Sequence, residues 1–70
     1  MEVRRLNGEC DDLDTCAAFF DTDAEVVLVQ GTKVTDPSTL AQTRPGPDEG
    51  LLAVPRHVFE EAVARLRARP

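Results

Sequence analysis

Residues 55–70 read PRHVFEEAVARLRARP, and the expected architecture follows from this stretch. After Pro55 the apolar residues recur with the 3.6-residue period of an α-helix and form a single stripe. Proline suits the first position of a helix, because its missing N–H would have no partner there. The pattern predicts a C-terminal helix that packs one face against a sheet through Val58, Phe59, Ala62, Val63 and Leu66.

This apolar stripe is expected to make the main packing contact between the helix and the sheet. Burying one large apolar side chain stabilises a fold by roughly 1.5–3 kcal/mol. Large anchors are scarce, because the chain has three Phe and neither Trp nor Tyr. We therefore expect Phe59→Ala to cost about 3–5 kcal/mol, the range of a core Phe.

Short apolar runs upstream of the helix, separated by turn residues, predict strands. Residues 16–20 and 25–30 flank an acidic turn and form a predicted β-hairpin. Residues 26–29, VVLV, are apolar on both faces of a strand, which favours a central strand with cover on each side. Weaker strand signals lie in residues 1–6 and 51–54.

Two further segments predict the structure of the chain between the hairpin and the C-terminal helix. Asp36 and Pro37 predict one helical turn, because an Asp side chain caps free amides and Pro fits the first helical position. Residues 44–50, RPGPDEG, predict a surface loop, because two prolines remove backbone donors and fix φ. The whole predicts a single domain over residues 1–70 of the α+β class. It is a small curled antiparallel sheet of three or four strands with one C-terminal helix packed across it.

The charge is unevenly distributed over a chain of net charge −5. Residues 1–55 contain eleven acidic and four basic residues, whereas residues 56–70 contain two acidic and four basic ones. An acidic body would repel a duplex that the basic end attracts, so protein contacts are favoured over direct nucleic-acid binding. No stretch approaches the roughly 20 apolar residues of a membrane span, and the first seven residues do not resemble a signal peptide. We expect a cytoplasmic protein without membrane contact.

Cys10 and Cys16 are the two cysteines. They could close a small disulfide loop, or bind zinc together with His57 and an aspartate. Structural zinc sites usually show close ligand pairs such as C-x2-C, which this spacing is not. Because a reducing cytosol keeps thiols reduced, the sequence favours unpaired thiols over a disulfide, and a disulfide over a metal site. A small zinc-binding or thiol-redox protein is the alternative function.

In the acidic turn every second residue is acidic, at Asp21, Asp23 and Glu25. The ligands of a calcium-binding loop begin with the same spacing. Val26 stands where such a loop needs Gly, so a solvated acidic face that keeps hairpin edges apart is favoured. The C-terminal arginines lack nearby aromatics for base stacking, which again disfavours nucleic acid.

Catalytic sets are missing from the sequence. His57 is the only histidine, and no pattern brings it together with Cys16 and Asp14 as base, nucleophile and orienting acid. Phosphate-binding glycine loops and nucleophile elbows are absent as well. The sequence therefore predicts a protein without enzymatic activity and without a cofactor.

Several segments taken together resemble a group of short, uncharacterised actinobacterial proteins. The shared features are the cysteine pair, VQG at 29–31, KVTDP at 33–37 with Leu40, and Glu49 with VP at 54–55 before a helix. Ala17 departs from the Pro that commonly follows the second Cys, and Thr32 from the aromatic that often follows the VQG glycine. The hairpin-then-helix layout is also similar to small domain-of-unknown-function proteins encoded beside WhiJ-type helix-turn-helix regulators.

This resemblance implies a non-enzymatic accessory protein whose partner is a transcriptional regulator. It brings no catalytic residues to transfer. The candidate contact residues lie in and near the exposed loop, at Arg44, Asp48, Glu49 and Arg56. A homodimer is a further expectation, because a core this small leaves apolar strand surface to cover.

Overall fold

The computed structural model describes residues 1–7 and 16–68. The main sheet is antiparallel, in the order β1-β2-β3, with strands β1 (Val3–Arg5), β2 (Ala18–Thr22) and β3 (Val27–Gln30). A second antiparallel sheet pairs β4 (Thr32–Lys33) with β5 (Leu52–Ala53). The helices are α1 (Pro37–Thr43) and α2 (Arg56–Ala68). The predicted α+β class is confirmed.

The predicted hairpin is present, but the central strand of the sheet is its first strand and not its second. β2 pairs with β1 on one side and β3 on the other, so β2 is central and the prediction of a central β3 is wrong. Residues 26–29 are each between 39% and 49% exposed. An apolar run without polar alternation suits a covered strand and an uncovered edge strand alike, and the sequence therefore could not separate the two.

The core is small and lies between α2 and the main sheet. α2 packs chiefly on β2, and the buried apolar residues of the described chain are Leu6, Ala18, Val58 and Ala62. Leu6 is only 4% exposed, although the sequence signal around it is weak. The helical stripe is thus confirmed at Val58 and Ala62.

Phe59 departs from the expected core position. It is 51% exposed and meets Phe19 edge-on, with ring centroids 5.8 Å apart and an angle of 63° between the rings. An edge-to-face pair contributes about 0.5–1.5 kcal/mol beyond burial. The expected loss of 3–5 kcal/mol on removing Phe59 therefore needs correction, because half of the ring already contacts solvent.

Asn7 extends the pairing of β1 with β2 beyond the end of β1. Its side-chain Nδ2 donates to the carbonyl of Ala17 at 3.1 Å, and its Oδ1 accepts from the Phe19 N–H at 2.9 Å. The backbone N–H of Leu6 donates to the Phe19 carbonyl at 2.8 Å. The amide of Asn7 thus supplies the donor and acceptor that a further strand residue would offer, and this pairing holds Leu6 against the core.

Gly31 is the point where the chain leaves the main sheet for the second one. A Cβ atom at this position would lie 2.6 Å from the Ala53 carbonyl oxygen and 2.8 Å from Cγ2 of Val54. Its φ angle is not positive, so close approach of the backbone, rather than a left-handed conformation, requires glycine. The two sheets therefore meet at a glycine that cannot carry a side chain without moving β5.

The helix α1 begins at the predicted cap and runs longer than the single predicted turn. The Asp36 carboxylate accepts hydrogen bonds from the Thr39 N–H at 2.9 Å and the Thr39 hydroxyl at 2.8 Å. The helix ends at Arg44, which has φ 50° and donates its N–H to the Leu40 carbonyl at 2.8 Å. Both ends of α1 are therefore closed by local hydrogen bonds.

Stability at acidic pH is expected to depend on Asp36. The two bonds from Thr39 hold the pKa of this carboxyl below its ordinary value of 3.8. A depressed folded-state pKa means that the cap is fully present above pH 3.8 and is lost as the pH falls through the lower folded value. The Thr39 amide proton, followed by NMR from pH 6 downward, should therefore titrate with a midpoint below 3.8. In Asp36→Asn, which caps without a charge, that transition should vanish. A midpoint at or above 3.8 would contradict the bonding described.

Neither α1 nor α2 combines the length and hydropathy of a bilayer-spanning helix, and this finding covers the described ranges only.

Candidate docking surface

An apolar groove lies where α2, the main sheet and the second sheet meet. Its volume is about 510 Å³, within the range of small-molecule pockets. The residues that line it are Phe19, Val29, Gly50, Leu52, Val54, Arg56 and Phe59. We call this set the apolar groove.

The walls of the apolar groove come from three elements. Phe19 and Val29 are register partners on β2 and β3, and directly opposed residues share one face of a sheet. Phe59 leans edge-on against Phe19 and forms the wall on the side of α2. Leu52 on β5 completes the opposite side and is 38% exposed. The groove therefore leaves apolar surface in solvent at the junction of the two sheets.

Arg56 is the charged residue among those that line the groove. It stands at the first position of α2 and is exposed. A guanidinium beside an apolar surface can pair with a carboxylate on a bound segment, often with two parallel hydrogen bonds. The groove can therefore accept apolar side chains next to an acidic group.

The other predicted contact residues lie in the loop that leads to the groove. Glu49 holds this loop in shape: its Oε1 accepts the Gly46 N–H at 2.7 Å, and its own N–H donates to the Gly46 carbonyl at 3.0 Å. Arg44 and Asp48 are exposed. The structure thus gives Glu49 a loop-closing role and places Arg56, of the four candidates, in the groove.

The acidic turn is not wholly solvated as expected. Asp21 is 6% exposed, and its Oδ2 accepts from the Arg4 guanidinium at 2.8 Å. The Thr22 N–H donates to the other carboxylate oxygen at 3.0 Å. Asp23 accepts the Glu2 N–H at 3.0 Å. These carboxylates hold β1 against the hairpin, which corrects the expectation of a purely solvated acidic face at Asp21.

Cys16 is disulfide-bonded, so the expected unpaired thiol is wrong at this position. The chain has one other cysteine, Cys10, which lies outside the described residues together with Asp14. The Arg5 guanidinium donates to Sγ of Cys16 at 3.3 Å and also stands 5.8 Å from the centroid of the Phe20 ring.

No three His, Cys, Asp or Glu side chains in residues 1–7 and 16–68 cluster in a way that could hold a metal ion. His57 is exposed in the first turn of α2. A Cys–His–Asp catalytic set would also require a free thiolate at Cys16. The zinc or thiol-redox alternative depends in addition on Cys10 and stays a prediction.

Comparison with known proteins adds no relative. The chain matches no protein-family model, and no curated protein or solved structure matches it. The resemblance to short actinobacterial proteins and to WhiJ-associated proteins therefore stays a prediction from the sequence.

Proposed function

We propose that this chain is a non-enzymatic protein-interaction module. It acts in the cytoplasm as an accessory to a helix-turn-helix transcriptional regulator and does not itself contact nucleic acid. The observation that supports this proposal is the apolar groove, which exposes Phe59 and Leu52 around a cavity of about 510 Å³. Contiguous exposed apolar surface with a polar rim is typical of protein-binding sites.

The chemistry of the groove defines the kind of segment that fits. Apolar walls from Phe19, Val29 and Phe59 favour aliphatic or aromatic side chains, and Arg56 favours an acidic residue next to them. An amphipathic helix with apolar anchors one turn apart and a flanking carboxylate has this chemistry. We infer that the regulator presents such a segment.

A capture experiment with matched variants tests the proposal. The full chain is immobilised and exposed to lysate of the organism that encodes it, beside the groove variant Leu52→Asp and the control variant Val3→Asp. Val3 is exposed like Leu52 but lies on β1, the far edge of the sheet, so both variants add one negative charge to exposed apolar surface. Circular dichroism first establishes that both variants keep the wild-type fold.

We expect a helix-turn-helix protein on the wild type and on Val3→Asp, and its loss on Leu52→Asp. Binding of the purified regulator should weaken at least about tenfold in Leu52→Asp, as measured by calorimetry, because the charge would be buried against apolar side chains. Capture that is equal on all three baits, or no captured protein at all, would overturn the proposal.

A further inference from the structure

Asn7 is the only asparagine of the chain, and Gly8 follows it in the sequence. An asparagine side chain can lose its amide by reaction with the backbone nitrogen of the next residue. Glycine in that next position leaves the approach open, because it has no Cβ atom and the widest choice of backbone angles. Asn7 therefore stands in the sequence context in which this reaction meets the least steric resistance.

The reaction needs only water besides the chain itself. The Gly8 nitrogen bonds to Cγ of Asn7, the Cγ–Nδ2 bond breaks, and the amide leaves as ammonia with the proton of the Gly8 nitrogen. Water then opens the cyclic imide at either of its two carbonyl groups. The product at position 7 is an aspartate in one case and an isoaspartate, whose side-chain carbon has become part of the main chain, in the other.

The fold opposes the first step by holding both polar atoms of the Asn7 amide. Nδ2, the leaving group, donates to the Ala17 carbonyl at 3.1 Å, and Oδ1 accepts from the Phe19 N–H at 2.9 Å. Asn7 is only 8% exposed. Cγ carries both bonded atoms, so turning it toward the following backbone nitrogen breaks both hydrogen bonds. Attack at Cγ therefore requires a local opening in which Asn7 separates from the β2 segment.

The product does not fit the place that the Asn7 amide leaves. An aspartate has an oxygen where Nδ2 stood, and this oxygen would face the Ala17 carbonyl, which is also an acceptor. The Phe19 N–H keeps its partner, but the other bond is replaced by repulsion at a site that is nearly closed to water. An isoaspartate also lengthens the main chain by one atom, which displaces it from its pairing with β2.

Loss of this pairing reaches the core through the preceding residue. The Leu6 N–H donates to the Phe19 carbonyl at 2.8 Å, and Leu6 is only 4% exposed. We propose that Asn7 is a deamidation site that is protected while it is paired with β2 and reacts when this pairing opens. Each reaction makes a transient opening permanent and loosens Leu6 from the core. The site goes beyond the proposed function, since its chemistry needs no partner protein.

The rates of deamidation in the folded and the unfolded chain test the proposal. Both samples keep the disulfide intact at the same neutral pH, one in buffer and one in guanidinium chloride. Mass spectrometry follows the tryptic peptide that begins at Leu6. We expect the folded chain to react roughly 5- to 150-fold more slowly, because two hydrogen bonds must first break. Equal rates, or no reaction in the unfolded chain, would overturn the proposal.

Gly8→Ala tests the route of the reaction. Compared with the wild type in guanidinium chloride, where the fold has no influence, this variant should deamidate more slowly, because the added methyl group hinders the attacking nitrogen. The same rate for both chains would contradict attack by the nitrogen of residue 8.

Asn7→Asp reproduces one product and tests its effect on the fold. Hydrogen exchange at the Leu6 amide should be roughly 5- to 150-fold faster than in the wild type, because a buried acceptor then faces another acceptor. The matched control Gln42→Glu exchanges the same atoms on an exposed side chain of α1 and should leave this rate unchanged. Equal exchange in the two variants would contradict the expected loss of pairing. If Asn7→Asp does not fold, the two wild-type rates still decide whether pairing with β2 protects the site.

Discussion

Gly31→Ala is expected to destabilise the chain by about 3 kcal/mol, the upper part of the usual range for overpacking. The added methyl group would lie 2.6 Å from the Ala53 carbonyl oxygen, and a backbone atom cannot rotate away as a side chain can. Relief requires β5 to move from β4, which breaks the second sheet and one wall of the apolar groove. For a domain of this length the melting temperature should fall by roughly 10–25 °C.

The matched control is Gly50→Ala. A Cβ atom at Gly50 meets nothing within 4 Å, and its φ is not positive, so alanine is accepted without strain. This variant should melt at the wild-type temperature or slightly above it, because alanine lowers the entropy of the unfolded chain. Thermal melts followed by circular dichroism compare the two directly. Equal melting of the two variants would mean that the sheets do not meet at Gly31 as described.

Leu6→Ala is expected to cost about 2–5 kcal/mol, the range for a leucine removed from a core. Leu6 is nearly fully buried, held by its own N–H bond to Phe19 and by the adjacent Asn7 amide. Phe59→Ala, by contrast, should cost about 1–2 kcal/mol, because half of the ring is already hydrated. The sequence pattern predicts a core position for Phe59, whereas the structure buries Leu6 and leaves Phe59 half exposed.

Urea unfolding of both variants measures this order. Val3→Ala serves as the reference, since Val3 lies in β1, just before Leu6 in the chain, but is exposed, and the variant should stay within about 0.5 kcal/mol of the wild type. If Phe59→Ala proves more destabilising than Leu6→Ala, α2 docks more deeply on the sheet than the structure has it.

The periodic parts of the fold were predictable from the sequence. The spacing of Val58 and Ala62 identifies α2, and the acidic turn between two apolar runs identifies the β2–β3 hairpin. Asp36 followed by Pro37 identifies the start of α1. Each of these signals is local, because period, cap and turn chemistry are properties of neighbouring residues.

The remaining features depend on contacts between distant residues. Whether β3 is covered or bare is set by its neighbours in space, and VVLV has the same pattern in either case. Leu6 is held in the core beside the bonds that Asn7 makes to residues 10 and 12 positions further along the chain, and no local stretch of sequence shows such bonds. Arg56 was predicted as a contact residue, but the groove around it required the meeting of two sheets and a helix.

The arginines of β1 limit how far strand addition can go. A sheet with two unprotected edge strands can add one molecule after another at both edges. Contacts of this kind do not close on themselves, so they produce fibres. Arg4 and Arg5 place charge at the β1 edge of this sheet, and charge at an edge opposes pairing with a further strand there. Arg4 and Arg5 therefore have two effects: they contact the hairpin through their side chains, and they oppose aggregation through the β1 edge.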